Sequence, residues 1–358
     1  MDPQTSPLYA AKKRHDWLDA IKALAISLVI FGHLSESGLY PYAVYSSTIK
    51  LPLFFAASGF VFSVKKTNNA KQFFYNIIVR LIIPYFCISV SICALDIPLA
   101  VIYDKYEPSF IVDNLRSIVT GQTLWFVPVL FCCETIMFFL VRLFKKNDVA
   151  ILLVSVIFIV SGYFFQTKTK IPWNPNVTVI AFPIFALGYF IRKYIIDLPQ
   201  KKKLAVAAVG GAVYLILPEL MHALTGKWYY LNMLDSVYIN YPVNMFQIYG
   251  GTLAIFIFAS YMTFPRFVSA LGRNTLYYYG YHLIAAKYII LLLQYKITPL
   301  LTMDLLRSTD QLRSYFRLIT IFVMLLLAPL AWITNRMLPF FTGKRYREII
   351  PIWKMKKK

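Results

Sequence analysis

Negative charge is scarce in this chain. Its 358 residues hold 16 Asp and Glu against 37 Lys and Arg, and charged residues of both signs make up only 15%. With 59% hydrophobic residues and a mean hydropathy of +0.60, that is too little charge to cover a soluble domain of this size. Cysteine is scarce as well: Cys87, Cys93, Cys132 and Cys133 all lie in apolar runs without metal-ligand spacing, which excludes a disulfide framework and a zinc site. No polar stretch is long enough for a soluble domain with its own activity. No internal repeat is visible either, which weighs against many transporter folds. The net charge of +21 would suggest nucleic acid if the basic residues ignored the apolar segments. They alternate from loop to loop instead, which is membrane topology and no nucleic-acid footprint.

The expected fold is therefore an all-α polytopic membrane protein. Apolar runs predict about ten transmembrane helices, at 17–36, 47–64, 78–103, 123–143, 149–165, 178–196, 204–218, 243–262, 275–298 and 317–335. Residues 1–16 form a cytoplasmic N-terminal segment, 17–335 the transmembrane domain and 336–358 a basic cytoplasmic tail suited to anionic lipid. Loops on the side of the N-terminus carry 24 Lys and Arg against ten on the other side, so the positive-inside rule puts both termini in the cytoplasm. The first apolar segment lacks a small-residue cleavage pattern and reads as a retained helix. The outer loops 104–122, 166–177, 219–242 and 299–316 mix Tyr, Trp, Asn and Asp, a composition shared by sugar-stacking sites and interfacial aromatic belts.

Charges inside the apolar segments are the functional signal. Eleven steps of about 100° separate Lys22 from His33, within about 20° of three full turns, so both project from one helix face about 16 Å apart. Asp19 lies near the same stripe. A cation and an imidazole inside a bilayer cost a few kcal/mol each unless they face protein or water, which makes them site candidates. A low cation and a high base would suit an elongated anionic donor, with phosphates near Lys22 and the reactive end near His33. Histidine can take a hydroxyl proton and later return it. Arg80, opening RLIIPYF, is a fork for phosphate or a positive-inside anchor. Glu134, deep in the fourth segment, is a structural partner for Lys287 or Arg80, or it orients the imidazole; Glu36 is the other candidate orienter. His282 is a lone histidine in the aromatic run NTLYYYGYHLI, and LPLFFAASGF ends in small residues that permit close helix approach.

In these motifs the chain resembles the membrane-bound acyltransferase 3 family, particularly its branch similar to fucose 4-O-acetylases. Lys22 and His33 match its basic residue, ten residues, histidine pattern. LPLFFAASGF, the Arg80 run, LWFVPVLF with Trp125, and NTLYYYGYHLI follow in the family's order. The resemblance implies a ten-helix fold that moves an acyl group, usually acetyl from cytoplasmic acetyl-CoA, to a carbohydrate hydroxyl outside. It implies His33 as the catalytic histidine, Lys22 as the basic motif member and Arg80 as a contributor to donor binding. Lys50 stands where the branch commonly has a histidine.

The expected function is thus an O-acetyltransferase of the inner (plasma) membrane, acting on a cell-surface glycan such as O-antigen or on its lipid-linked precursor. His33, Glu134 and Glu36 are the catalytic candidates. Lys22, Asp19 and Arg80 serve the donor, and His282, Lys50 and Trp125 the acceptor. Acetyl-CoA is a substrate, with no cofactor bound permanently. A glycan or lipid transporter or flippase, and a non-catalytic subunit of an export complex, are the alternatives.

Overall fold

The structure is a computed structural model describing residues 15–34, 42–63, 69–145, 147–166, 170–296 and 310–343, with side chains of the last stretch described from 317. Apolar helices dominate. Among the described residues nine are long and apolar enough to cross a membrane, and Asp148–Phe164, at 17 residues, is a shorter tenth. The chain is an all-α, multi-pass membrane protein. The first helix, α1 (Asp16–Leu34), carries Lys22 and His33 on one rod as the period required.

The second segment begins earlier than expected and is broken. Helix α2 (Tyr42–Ser47) gives way to a turn at 48–51, and α3 (Pro52–Val61) follows with proline in its first turn. Lys50 lies in that break. The third segment runs unbroken from Ala70 to Ile102 as α4 (Ala70–Ile77), a π-helical stretch (Ile78–Ile82) and α5 (Ile83–Ile102). The wide turn has a local cause: Pro84 offers no N–H to the carbonyl of Arg80 four residues back, and its ring crowds that carbonyl. The backbone widens there, with the Ile83 N–H reaching back to Ile78.

Residues 104–122, expected as an outer loop, hold a further helix, largely exposed and with Ile118 buried. Helix α6 (Phe110–Val119) is tied by the Tyr85 hydroxyl, which donates to the Ile118 carbonyl at 2.5 Å, although Tyr85 lies near the opposite end of α5. Then come α7 (Phe126–Leu143), α8 (Asp148–Phe164), α9 (Pro175–Phe190), α10 (Gln200–Thr225), a two-stranded antiparallel hairpin of β1 (Leu231–Asn232) and β2 (Val237–Tyr238) with Leu231 opposite Tyr238, and α11 (Tyr241–Ser260). Short α12 (Arg266–Arg273), α13 (Thr275–Lys296) and α14 (Asp310–Met337) complete the bundle.

Phe55, Tyr85, Phe138, Phe182, Phe185 and Phe256 are fully buried and fill the centre. Burial is 67% for the apolar window of α11 but 17% for that of α10, so α10 stands at the rim with its leucines toward lipid. Small residues set the close crossings. A Cβ on Gly59 would sit 1.8 Å from the Phe185 carbonyl oxygen, and one on Gly188 equally close to that of Ala56, which locks α3 onto α9. Gly272 of α12 backs onto Asp19 of α1 in the same way.

Candidate active site

Three cations meet in one cavity. Lys22 of α1, Arg80 of the π stretch and Arg273 at the end of α12 line a hollow of about 240 Å³. Its other walls are largely apolar and aromatic, including Phe54, Phe126, Leu130 and Tyr279. Lys22 reaches Asp19 at 3.6 Å, one turn below on α1. Asp19 is almost fully buried, and Gly272 packed on its backbone sets the neighbouring Arg273 beside the cavity. Arg80 and Ser58 are shared with a second, wider cavity of about 420 Å³ that includes Asn76, Ser63 and Glu134.

Glu134 belongs to Arg80. The guanidinium Nη2 donates to its Oε2 at 2.5 Å, and the carboxylate is almost wholly out of solvent. Of the roles open to Glu134, pairing with Arg80 is the one the geometry selects; its hydrogen-bond partner among the described residues is Arg80 and not an imidazole. Lys287 has its own acid, Asp96, at 2.6 Å. Glu36 lies outside the described residues.

The C-terminal end of the bundle walls this region. After α14, a 3₁₀ turn (Pro339–Thr342) places Thr342 in the first cavity and Gly343 in the second. Asn335 donates to the Asn274 side chain at 2.7 Å and accepts from the Thr342 hydroxyl at 2.7 Å. Gly343 adopts φ +68° directly over Arg80, where a Cβ would come within 2.6 Å of the Arg80 carbonyl oxygen. That is the carbonyl to which Pro84, four residues on, has no N–H to offer.

The two histidines also meet. His33 and His282 have ring centroids 5.2 Å apart at an interplanar angle of 37°. His33 is exposed, whereas His282 is 2% exposed. Nδ1 of His282 lies 2.9 Å from the Tyr279 carbonyl and 3.1 Å from that of Tyr278, and a carbonyl only accepts. Nδ1 therefore carries a hydrogen, and this fixes the ring orientation. Nε2, on the other side of the ring, is buried and has no hydrogen-bond partner among the described residues. Tyr279, one turn below, places its ring 6.4 Å from His282 and also lines the cationic cavity. From the cavity, the path along α13 leads to the imidazole pair.

The remaining candidates are more peripheral. Trp125 precedes α7 and packs edge-on against Phe126, which itself touches Tyr279. Lys50 is half-buried in the α2–α3 break, next to cavity-lining Leu51. Aromatics of the outer loops are engaged within the chain: Trp228 stacks on His222 at 4.1 Å, and Trp173 packs on Phe131. Sequence reasoning counted Arg273 among the basic-loop anchors and missed it as a cavity residue. The available signal was the glycine beside it in RFVSALGR, a short amphipathic helix.

A multi-pass helical protein with a cationic cavity below an intramembrane imidazole pair is the class that these observations define. The family model described as an acyltransferase domain, that of the acyltransferase 3 family, matches residues 15–336, and the chain belongs to that family. It is a membrane acyltransferase. No curated protein and no solved structure matches it.

Proposed function

We propose that this acyltransferase takes acetyl from cytoplasmic acetyl-CoA and esterifies a hydroxyl of a cell-surface glycan or its lipid-linked precursor, in the inner (plasma) membrane. The observation that carries this reading is the cavity bearing Lys22, Arg80 and Arg273, with Tyr279 linking its wall to His282 and thence to His33. Cations at one end and a base at the other match a long donor that is polyanionic at its nucleotide and reactive at its thioester.

Arg80 serves as a phosphate fork, kept in place by Glu134, and the wider cavity takes the nucleotide while the narrower one takes the pantetheine arm. His33, exposed at the far end of α1, removes the acceptor hydroxyl's proton as the oxygen attacks the thioester carbonyl. Asp19 holds Lys22 toward the arm. Lys50 and Trp125 flank the acceptor side. A direct transfer needs no acyl-enzyme; the alternative, acetyl carried on His33, leaves a trappable acyl-imidazole.

The test is glycan O-acetylation, read by mass spectrometry and proton NMR of surface polysaccharide, in cells with wild type, His33→Ala or no copy of the gene. Ester should appear with wild type alone while the variant reaches the membrane at normal level. Ester in the His33→Ala strain overturns the role of His33. An unchanged glycan in all three overturns the acceptor.

A further inference from the structure

The catalytic reading above gives one imidazole two distant tasks. His33 must take a proton from a hydroxyl arriving on its exposed side, and a proton must be delivered to the sulfur of the leaving thiol, which arrives from the cationic cavity. His282 stands between those places: its ring is 5.2 Å from that of His33 and 6.4 Å from that of Tyr279, a wall residue of the cavity. Its Nδ1 hydrogen is committed to the carbonyls of Tyr278 and Tyr279, so the ring offers only Nε2 for chemistry. A bare imidazole nitrogen in a nearly dry site is costly unless it finds a donor. Nothing in helix packing requires a histidine there, since a leucine would fill a buried α13 position without leaving an orphaned acceptor.

Resting on the reading of His33 as base, we propose that His282 is a second catalytic imidazole, which receives the proton from His33 at Nε2 and delivers it to the leaving thiolate. The acceptor oxygen forms a bond to the carbonyl carbon as its hydrogen passes to His33. His33 releases a proton from its other ring nitrogen to Nε2 of His282. The carbon–sulfur bond breaks, and the sulfur leaves with its electron pair and takes the proton from His282, giving the ester and free thiol. Both imidazoles end neutral; His33, left as its other tautomer, resets by proton exchange with water on its exposed side. The Nδ1 bonds keep His282 from turning over during the cycle, so Nε2 always faces the same way.

The division of labour predicts opposite responses to the leaving group. A thiol of low pKa leaves as thiolate without a proton, so it bypasses His282 but still needs His33. The variant to make is His282→Asn, because an asparagine amide can donate to the carbonyl four residues back, as Asn114 and Asn274 already do at 2.8 Å in this chain. It keeps the packing bond and deletes Nε2. Full-length protein would be assayed in membrane vesicles that retain the cell's own glycan, with labelled acetyl-CoA and with S-acetyl thiophenol as donors, following ester formed on glycan and thiol released.

We expect His282→Asn to lose about 10²- to 10⁴-fold with acetyl-CoA, the usual range for a general acid–base group, and to approach wild type with the aryl thioester, whereas His33→Ala loses activity with both. Wild-type activity of His282→Asn with acetyl-CoA overturns the relay and leaves the proposed function standing. An equal loss with both donors, at normal protein level, overturns it in favour of a purely structural His282. No turnover of either donor by wild type is instead a failure of the reading on which the relay rests.

Discussion

Arg80 and Glu134, 54 residues apart in sequence, close a 2.5 Å ion pair at the boundary of two cavities. Removing one partner of a pair so little exposed on the carboxylate side leaves an acid without its counter-charge. Arg80→Ala is expected to lower stability by about 1–3 kcal/mol and abolish donor binding. In Arg80→Ala/Glu134→Gln the thermal midpoint should recover while donor binding stays lost. Donor binding that returned with stability would show that Arg80 acts only as a structural partner.

Pro84 and Arg80 are coupled through the backbone. Pro84→Ala supplies an N–H and relieves the crowding at the Arg80 carbonyl, so the wide turn should relax toward an α-helix. The fold is expected to hold its thermal midpoint or gain, because alanine suits a helix better by up to about 3 kcal/mol. Arg80 would then rotate out of register and the KM for donor rise at least about tenfold, or about 1.4 kcal/mol. An unchanged KM in kinetic assays would detach the π stretch from function.

Gly272 tests how Arg273 is placed. Gly272→Ala puts a methyl 1.8 Å from the Asp19 carbonyl oxygen, so α12 must move off α1. Stability should drop by about 1–3 kcal/mol and donor KM rise together. Arg273→Gln should raise KM alone. Thermal unfolding and donor kinetics on both variants separate these effects.

The Asp96–Lys287 pair joins α5 to α13 away from the cavity. Lys287→Met is expected to destabilise, since it strands Asp96 within an apolar segment, and adding Asp96→Asn should restore most of the loss. Acyl transfer per folded molecule should remain at wild-type level in the double variant. A large fall in that ratio would bring this pair into the site.

What the sequence disclosed follows from helix periodicity. Lys22 and His33 lie on one helix, so a spacing of eleven suffices to place them on one face. His33 and His282 lie on α1 and α13, and no local pattern announces that these helices cross with their histidines in register. Arg273 was hidden for another reason: a basic residue after an apolar segment looks the same whether it anchors a loop or enters a cavity, and only the approach of Gly272 to Asp19 decides. The break at 48–51 was invisible because its residues, TIKL, carry no glycine or proline before Pro52. Glu134 could be read as deep and in need of a partner, but the choice between Arg80 and Lys287 depended on how α7 packs.

The turn at Pro339–Thr342 also has a consequence in time. Lys22, Arg80 and Arg273 leave the ribosome well before Thr342 and Gly343, the residues that wall the two cavities beside Arg80. Every membrane-spanning helix among the described residues is thus translated before Thr342 and Gly343 can wall the site. A nascent chain halted after Met337 would have its cations and both imidazoles in the membrane and still hold an unfinished chamber, so synthesis itself delays the moment at which this protein can grip its donor.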